Sequence, residues 1–441
     1  MSTVNNKEVI SQAKQEIANS VAYKRLSTLF DDGTFTEIDA FVKSSDCYAE
    51  VVAGYGAVNG CPAYAFAQNS DFASGAMSKA QASKLEKIYD LAVKTGSPVI
   101  GLYDSNGARL NEGVDMLGGY GKILNSISNL SGVVPQISVV LGNCFGAGAL
   151  NAANADIIIM TKDAKFTVAT NGTDGDADSA YECGLVDVLA DGEADAITKT
   201  RELITYLPSN NLCMAPIADG VDAETATGTD AIKLTVDAGT FFELKAGSGK
   251  NAKVGFARIY GSTAAVVSTN GEELDCKSCK KVADFVTLCD SFAIPVVTFA
   301  DSTGFKCLKS ASKLAAVYAQ ATTVKATVVT GQAYGPFYVA LAGTGANADI
   351  TFAWADASIA PLPPVTGANI LWADKMAVPV AQQQAVVDEF KATECSAFAA
   401  AAKGYVEDVI NPEDTRAKLF AALDMLAGKR VSTLPKKHST I

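Results

Sequence analysis

The chain carries a second copy of itself. "DDGTFTEI", from Asp31, returns as "DAGTFFEL" from Asp237, an offset of 206. "GYGAVNG" (from Gly54) returns as "GFARIYG" (from Gly255), and "SPVIGLYDSNGARL" returns as "IPVVTFADSTGFKCL" with Asp104 on Asp301. "ISVVLGNCFGAGAL" matches "ATVVTGQAYGPFYVAL" with Gly142 on Gly331, an offset of 189. "ANADIIIMTKDAKF" matches "ANADITFAWADASI", and "GLVDVL" resembles "GYVEDVI". Matches in one order with slowly drifting offsets mark a tandem duplication of one fold. Domains are therefore expected at 1–218 and 219–441, joined by the polar stretch "PIADGVDAETATGTD" (216–230).

Within each copy, β-rich runs such as "PVIGLYD", "QISVVLG" and "DIIIMT" alternate with helical patterns. In "SKLEKIYDLAVKTG", Leu85, Ile88 and Ala92 share one helical face. Strand–turn–helix units of this kind predict an α/β fold with ligand sites at strand ends. Near the C-terminus, "NPEDTRAKLFAALDML" predicts a helix with Asn411 as N-cap and Pro412 as its first residue.

Two such turns per copy stand out: "DSNGAR" and "GNCFGAG" in the first, "DSTGFK" and "GQAYGPF" in the second. Taken singly, each glycine serves close strand–helix packing. Their recurrence as a pair favours two anion or oxyanion sites built from backbone N–H groups at helix starts. In the second copy the turn carries Pro336, which has no N–H to donate.

Composition narrows the chemistry. The net charge of −12 argues against nucleic acid as a partner. No run approaches 18 apolar residues and the polar N-terminus has no signal-peptide core, so a cytoplasmic location is expected. The one histidine, His438, lies in the tail "PKKHSTI", which excludes His-based triads and HExxH zinc sites elsewhere. Ten cysteines in apolar contexts are expected to be buried, reduced thiols. The lone CxxC (Cys276, Cys279) has no second pair to complete a zinc site, and no metal is expected. Neither a phosphate-binding GxxxxGK[ST] loop, nor a GxGxxG fingerprint, nor a GxSxG elbow occurs. Lys375 in "ADKMAV" does not fit a biotin-carrying Met-Lys-Met setting. Lys79, Lys84 and Lys87 follow the "SGAM" turn and could reach a phosphate, but solvated lysines on a helix surface are the plainer reading.

Together, "LFDDGTFTEIDAFV", "GYGAVNGCPAYAFAQNSDF", "DSNGARLNEGV", "SGVVPQISVVLGNCFGAGA" and "YLPSNNL" resemble the N-terminal domain of biotin-dependent acyl-CoA carboxyltransferases. These include the β subunits of propionyl-CoA and acetyl-CoA carboxylases and the methylmalonyl- and glutaconyl-CoA decarboxylases. "VGFARIYG", "CDSFAIPVVTFADSTGF", "QAYGPFY", "LAGTGANADITFAWADASIA" and "GYVEDVINPEDTRAKL" resemble the C-terminal domain. The resemblance covers nearly the whole chain in one order.

It implies two tandem crotonase-like (ββα spiral) domains in the α/β class, with acyl-CoA mainly on the first. Biotin, on a separate carrier protein, belongs mainly to the second. The implied active site faces one subunit's first domain with another's second, usually in a trimer of dimers. Implied partners are a biotin carboxyl carrier protein and either a biotin carboxylase or membrane decarboxylase subunits.

Carried over, the first oxyanion hole falls at Gly146 and Ala147, and Gly75, Ala76, Asn106, Gly107 and Ala108 line the acyl-CoA pocket. The second hole falls at Gly335 to Phe337, with Val339 just past it. There the family has Gly-Gly-Ala. Pro336 removes one donor whether the pair is 335–336 or 336–337, and Phe337 is expected to add bulk to the biotin cleft. "APLPPVTGAN", a shortened "DSTGFKCLKSAS" and "NGTDGDADSAYECG" also depart from the family. Three readings follow: a working carboxyltransferase subunit, a non-catalytic paralogue that scaffolds an oligomer or only binds acyl-CoA, and a biotin-independent crotonase-type hydratase or hydrolase.

Overall fold

In the computed structural model the chain is described over residues 6–43, 47–169, 175–224, 230–346 and 348–431. His438, part of the 216–230 join and the start of "NGTDGDADSAYECG" lie outside the described residues. The chain falls into two compact units, Met1–Pro216 and Ile217–Ile441.

In the first unit an eight-stranded sheet runs in the order β1 (Thr36–Glu37), β2 (Val51–Val58), β3 (Cys61–Gln68), β4 (Val99–Ser105), β5 (Gln136–Phe145), β6 (Ile157–Thr161), β8 (Val188–Ala190). β7 (Lys165–Thr167) pairs off this path with β5. β2 and β3 form an antiparallel hairpin turned at Asn59-Gly60, both at positive φ. From β3 onward the pairing is parallel. The parallel strands are nearly all buried because helices cover the sheet.

Helix Lys79–Thr95 buries Leu85, Ile88 and Ala92, the face read from the sequence. It opens on the N-cap Ser78, whose side chain accepts from Gln81 N–H, and closes on Gly96 in the left-handed region.

The second unit repeats this plan. Its sheet runs β9 (Phe242–Leu244), β10 (Ala252–Ile259), β11 (Ser262–Thr269), β12 (Val296–Ser302), β13 (Lys325–Tyr334), β14 (Ile350–Trp354), β16 (Asp408–Ile410), with β15 (Ser358–Ala360) paired to β13. The irregularities recur too. The β4/β5 register shifts between Tyr103 and Ser105, and the β12/β13 register between Ala300 and Ser302. Near the C-terminus, Asn411 occupies the N-cap position with extended backbone, but its side chain donates to Asp414 instead of accepting a backbone N–H. Pro412 opens a short 3₁₀ turn, and the α-helix proper starts at Thr415.

Five cysteines are buried (Cys47, Cys144, Cys279, Cys289, Cys395), while Cys183, Cys213 and Cys276 are exposed and Cys61 and Cys307 half-buried. This corrects the expectation of uniform burial, because short apolar neighbours do not fix which face of a helix or turn a thiol takes.

Candidate active site

Three turns at strand ends converge in the first unit. The first, Ala73–Gly75, is a tight 3₁₀ turn with Gly75 at φ +69. A Cβ on Gly75 would stand 2.0 Å from the Asp104 carbonyl oxygen, so only glycine fits. The second follows β4: Asn106 donates its N–H to the Ser74 carbonyl, and Met77 and Ala108 form a parallel bridge. The third follows β5, where Asn143 donates from Nδ2 to Asn106 Oδ1 at 2.7 Å. Gly75, Ala76, Asn106, Gly107 and Ala108 thus form one cluster, tied through Asn143 to the strand that leads to Gly146 and Ala147.

A buried ion pair supports this cluster. Glu50 and Arg109 meet at 2.7 Å, and Ser78 Oγ donates to Glu50 at 2.6 Å. Arg109 also lies over the Phe72 ring, 4.8 Å from its centroid. Burial is the largest influence on the Glu50 carboxyl and pushes it above its ordinary range. Sequence reading missed this pair, since its members sit far apart in the chain and carry no local pattern. Lys84 is buried and paired with Glu37 at 3.2 Å, and Lys87 pairs with Asp39 at 2.6 Å. Lys87 is nonetheless exposed, and Lys79 is the most exposed of the three, 3.6 Å from Asp115.

The β5 turn decides which amides are free. Gly146 sits at φ +60 and donates its N–H to the Thr167 carbonyl on β7 at 3.0 Å. Its amide is therefore already engaged, which moves the available donors from Gly146 and Ala147 to Ala147 and Gly148. These open helix Ala147–Ala152, where no preceding helical carbonyl can take their hydrogens.

The second unit reproduces the bond. Gly335, at φ +46, donates its N–H to the Ala360 carbonyl on β15 at 2.9 Å. Pro336 then stands where the first unit has Ala147, and Phe337 where it has Gly148. Of the two possible pairs, 336–337 is the one left, and half of it has no hydrogen to give. The helix that follows is π-helical over Tyr338–Ala342, with Gly343 N–H bonded to the Tyr338 carbonyl at 2.7 Å.

Phe337 does not fill the cleft, contrary to the expectation from sequence. Its ring is fully buried against Phe305, centroids 5.7 Å apart. The wall beside this turn is instead a cavity of about 1220 Å³. Gly335, Pro336 and Val339 line one side, Thr303, Gly304 and Phe305 another. Val339 is 59% exposed there. Glu273, Lys306, Glu394 and Lys403 supply its charges.

The comparisons agree with this duplicated architecture. The carboxyl transferase domain family model matches residues 14–441. The chain is 34% identical over 475 residues to the methylmalonyl-CoA decarboxylase subunit alpha of Veillonella parvula, covering 95% of this chain and 92% of that one. It is 32% identical to the propionyl-CoA carboxylase carboxyltransferase subunit of Haloferax mediterranei, covering 95% and 93%. Among solved structures, the transcarboxylase 12S hexamer with hydrolysed methylmalonyl-coenzyme A superimposes with a TM-score of 0.91 at 30% identity, covering 100% of this chain and 99% of that one. A matching family model over almost the full length, on the fold that its members adopt, places the chain in the carboxyl transferase domain family, the biotin-dependent acyl-CoA carboxyltransferases.

Proposed function

We propose that the chain is the carboxyltransferase subunit of a biotin-dependent acyl-CoA carboxylase or decarboxylase, with acyl-CoA on the first unit and the biotin of a carrier protein on the second. One observation carries the reading: the same glycine-to-strand hydrogen bond occurs in both units, Gly146 to Thr167 and Gly335 to Ala360, each leaving a helix start open beside it. The methylmalonyl-CoA decarboxylase and propionyl-CoA carboxylase relatives support as substrate a short-chain acyl-CoA whose α-carbon loses or gains a carboxyl group. The hexamer of the transcarboxylase relative supports a homo-oligomer.

On this reading the Ala147 and Gly148 amides bind the thioester oxygen. Loss of a carboxyl group or proton from the α-carbon turns that oxygen into an enolate oxyanion, and preformed N–H dipoles stabilise it more than the neutral carbonyl. Gly75, Ala76, Asn106, Gly107 and Ala108 hold the acyl end at this point, and the buried Glu50–Arg109 pair fixes the turns that carry them. Biotin supplies the nitrogen that carries the transferred carboxyl group. Its fused ring fits the second unit's cavity in size, whereas the Phe337 amide, the one donor left in the turn, belongs to a fully buried residue outside the cavity lining. Lys375, which does not fit a biotin-carrying setting by sequence, pairs with Glu389 and lies over Trp372.

Pro336 is the specific observation favouring the second reading, a paralogue that binds acyl-CoA without turning it over. Purified protein mixed with methylmalonyl-CoA and free biotin separates the two. Biotin-dependent loss of the carboxyl group supports the working enzyme. Thioester binding without turnover supports the paralogue, and failure to bind any CoA thioester overturns both.

A further inference from the structure

The CxxC of the sequence is not a structural pair. Cys279 faces the core, fully buried, with its thiol over the Leu274 carbonyl, and burial pushes that thiol up to about 12. Cys276, the first residue of helix Cys276–Ser291, is exposed instead.

Its partner comes from another turn. Leu274 and Phe305 form a parallel bridge, with Leu274 N–H donated to the Gly304 carbonyl at 3.0 Å and Lys306 N–H to the Leu274 carbonyl at 2.9 Å. Two residues beyond each bridge partner stand Cys276 and Cys307, side by side at the starts of their two helices. Cys276 is the neighbour that acts most strongly on the Cys307 thiol, and Cys307 Sγ lies 3.4 Å from Ser310 Oγ. The neighbouring Cys276 side chain, then the Ser310 hydroxyl, brings the Cys307 thiol down to about 7. A substantial share of it is thiolate at neutral pH, the nucleophilic form.

We propose that Cys276 and Cys307 are a reversible redox modification site, closing to a disulfide when a hydroperoxide reaches the surface of the second unit. The Cys307 thiolate attacks the terminal peroxide oxygen and breaks the O–O bond. This leaves a sulfenic acid on Cys307 and releases an alkoxide, or hydroxide from hydrogen peroxide, which takes up a proton. The Cys276 sulfur then attacks the Cys307 sulfur, forms the S–S bond and expels hydroxide, which leaves as water with the proton of the Cys276 thiol. Two thiols and one hydroperoxide thus give one disulfide, one alcohol and one water. Lys306 and Leu308, on either side of Cys307, line the cavity beside the Pro336 turn, as does Glu273. The bond would therefore lock one wall of that cavity, whatever reaction the chain performs.

Trypsin can tell the candidate pairs apart, because Lys277 separates Cys276 from Cys279 and Lys306 precedes Cys307. The full-length chain is treated with a small excess of hydrogen peroxide, its remaining thiols are blocked, and its peptides are mapped. The expected product joins peptide 259–277 to peptide 307–309, with two free thiols lost per chain and both regained on treatment with a dithiol. Cys307→Ser should abolish the cross-link, and Cys279→Ser should leave it. Should the core variant fail to fold, the wild-type map alone decides. A link between 259–277 and 278–280, oxidation of Cys307 to a sulfinic acid with Cys276 still free, or an unchanged thiol count would overturn the proposal.

Discussion

At Pro336 a single missing hydrogen carries a large consequence. With the Gly335 amide engaged by Ala360, Pro336 removes one of the two helix-start donors next in line. One such donor is worth roughly 10²–10³ in rate. Pro336→Ala should therefore raise biotin-dependent decarboxylation of methylmalonyl-CoA by at least about tenfold. Steady-state rates at fixed biotin check it, and an unchanged rate would show that this turn does not touch the reacting group.

A second residue tests burial. Lys281 is 3% exposed, donates to the Ser248 carbonyl at 3.0 Å, and is lowered by desolvation to about 8 from 10.5. The folded chain holds this proton more weakly than the unfolded one. Stability from this group is thus present above about 10.5 and lost as pH falls through about 8, a swing of about 3 kcal/mol. Lys281→Met should gain in Tm over the wild type by more at pH 7 than at pH 10, and an equal gain at both would refute the assignment. Neither point was legible in the sequence. The type of residue at 336 was plain, but which amides were already taken depended on β7 and β15, strands placed by tertiary pairing.

At the scale of elements, what recurs is a carboxylate set against a glycine. A Cβ on Gly142 would stand 2.2 Å from Asp104 Oδ1, and one on Gly331 would meet the Asp301 carboxyl at 2.4 Å. Asp104 is itself held by Arg25 at 2.9 Å, and Asp301 accepts the Gln332 N–H at 2.8 Å. Neither carboxylate can simply swing away. Gly142→Ala should cost about 1–3 kcal/mol through overpacking and shift the Asn143–Gly146 segment. Thermal unfolding and CoA-thioester affinity should fall together, whereas a normal Tm with weakened binding would mean that the strand yields without strain. The alternation of apolar runs and glycine turns made these strands and turns readable. The Glu50–Arg109 support and the side chosen by Phe337 were not, because both are decided by packing between distant segments.

For the whole molecule, the repeat in the sequence announced two copies of one architecture, and the strand orders of the two sheets match. No helix among the described residues is long and apolar enough to cross a membrane. Light scattering should give a particle near six times the 45.7 kDa chain mass. A monomer at micromolar concentration would contradict the assembly proposed above. The hydrogen bond shared by Gly146 and Gly335 has one more consequence. Because the same turn is built twice and differs at the next residue, each half is a matched control for the other. Ala147→Pro would write into the first half the change that Pro336 carries in the second, so the chain already holds both the mutant and its reference.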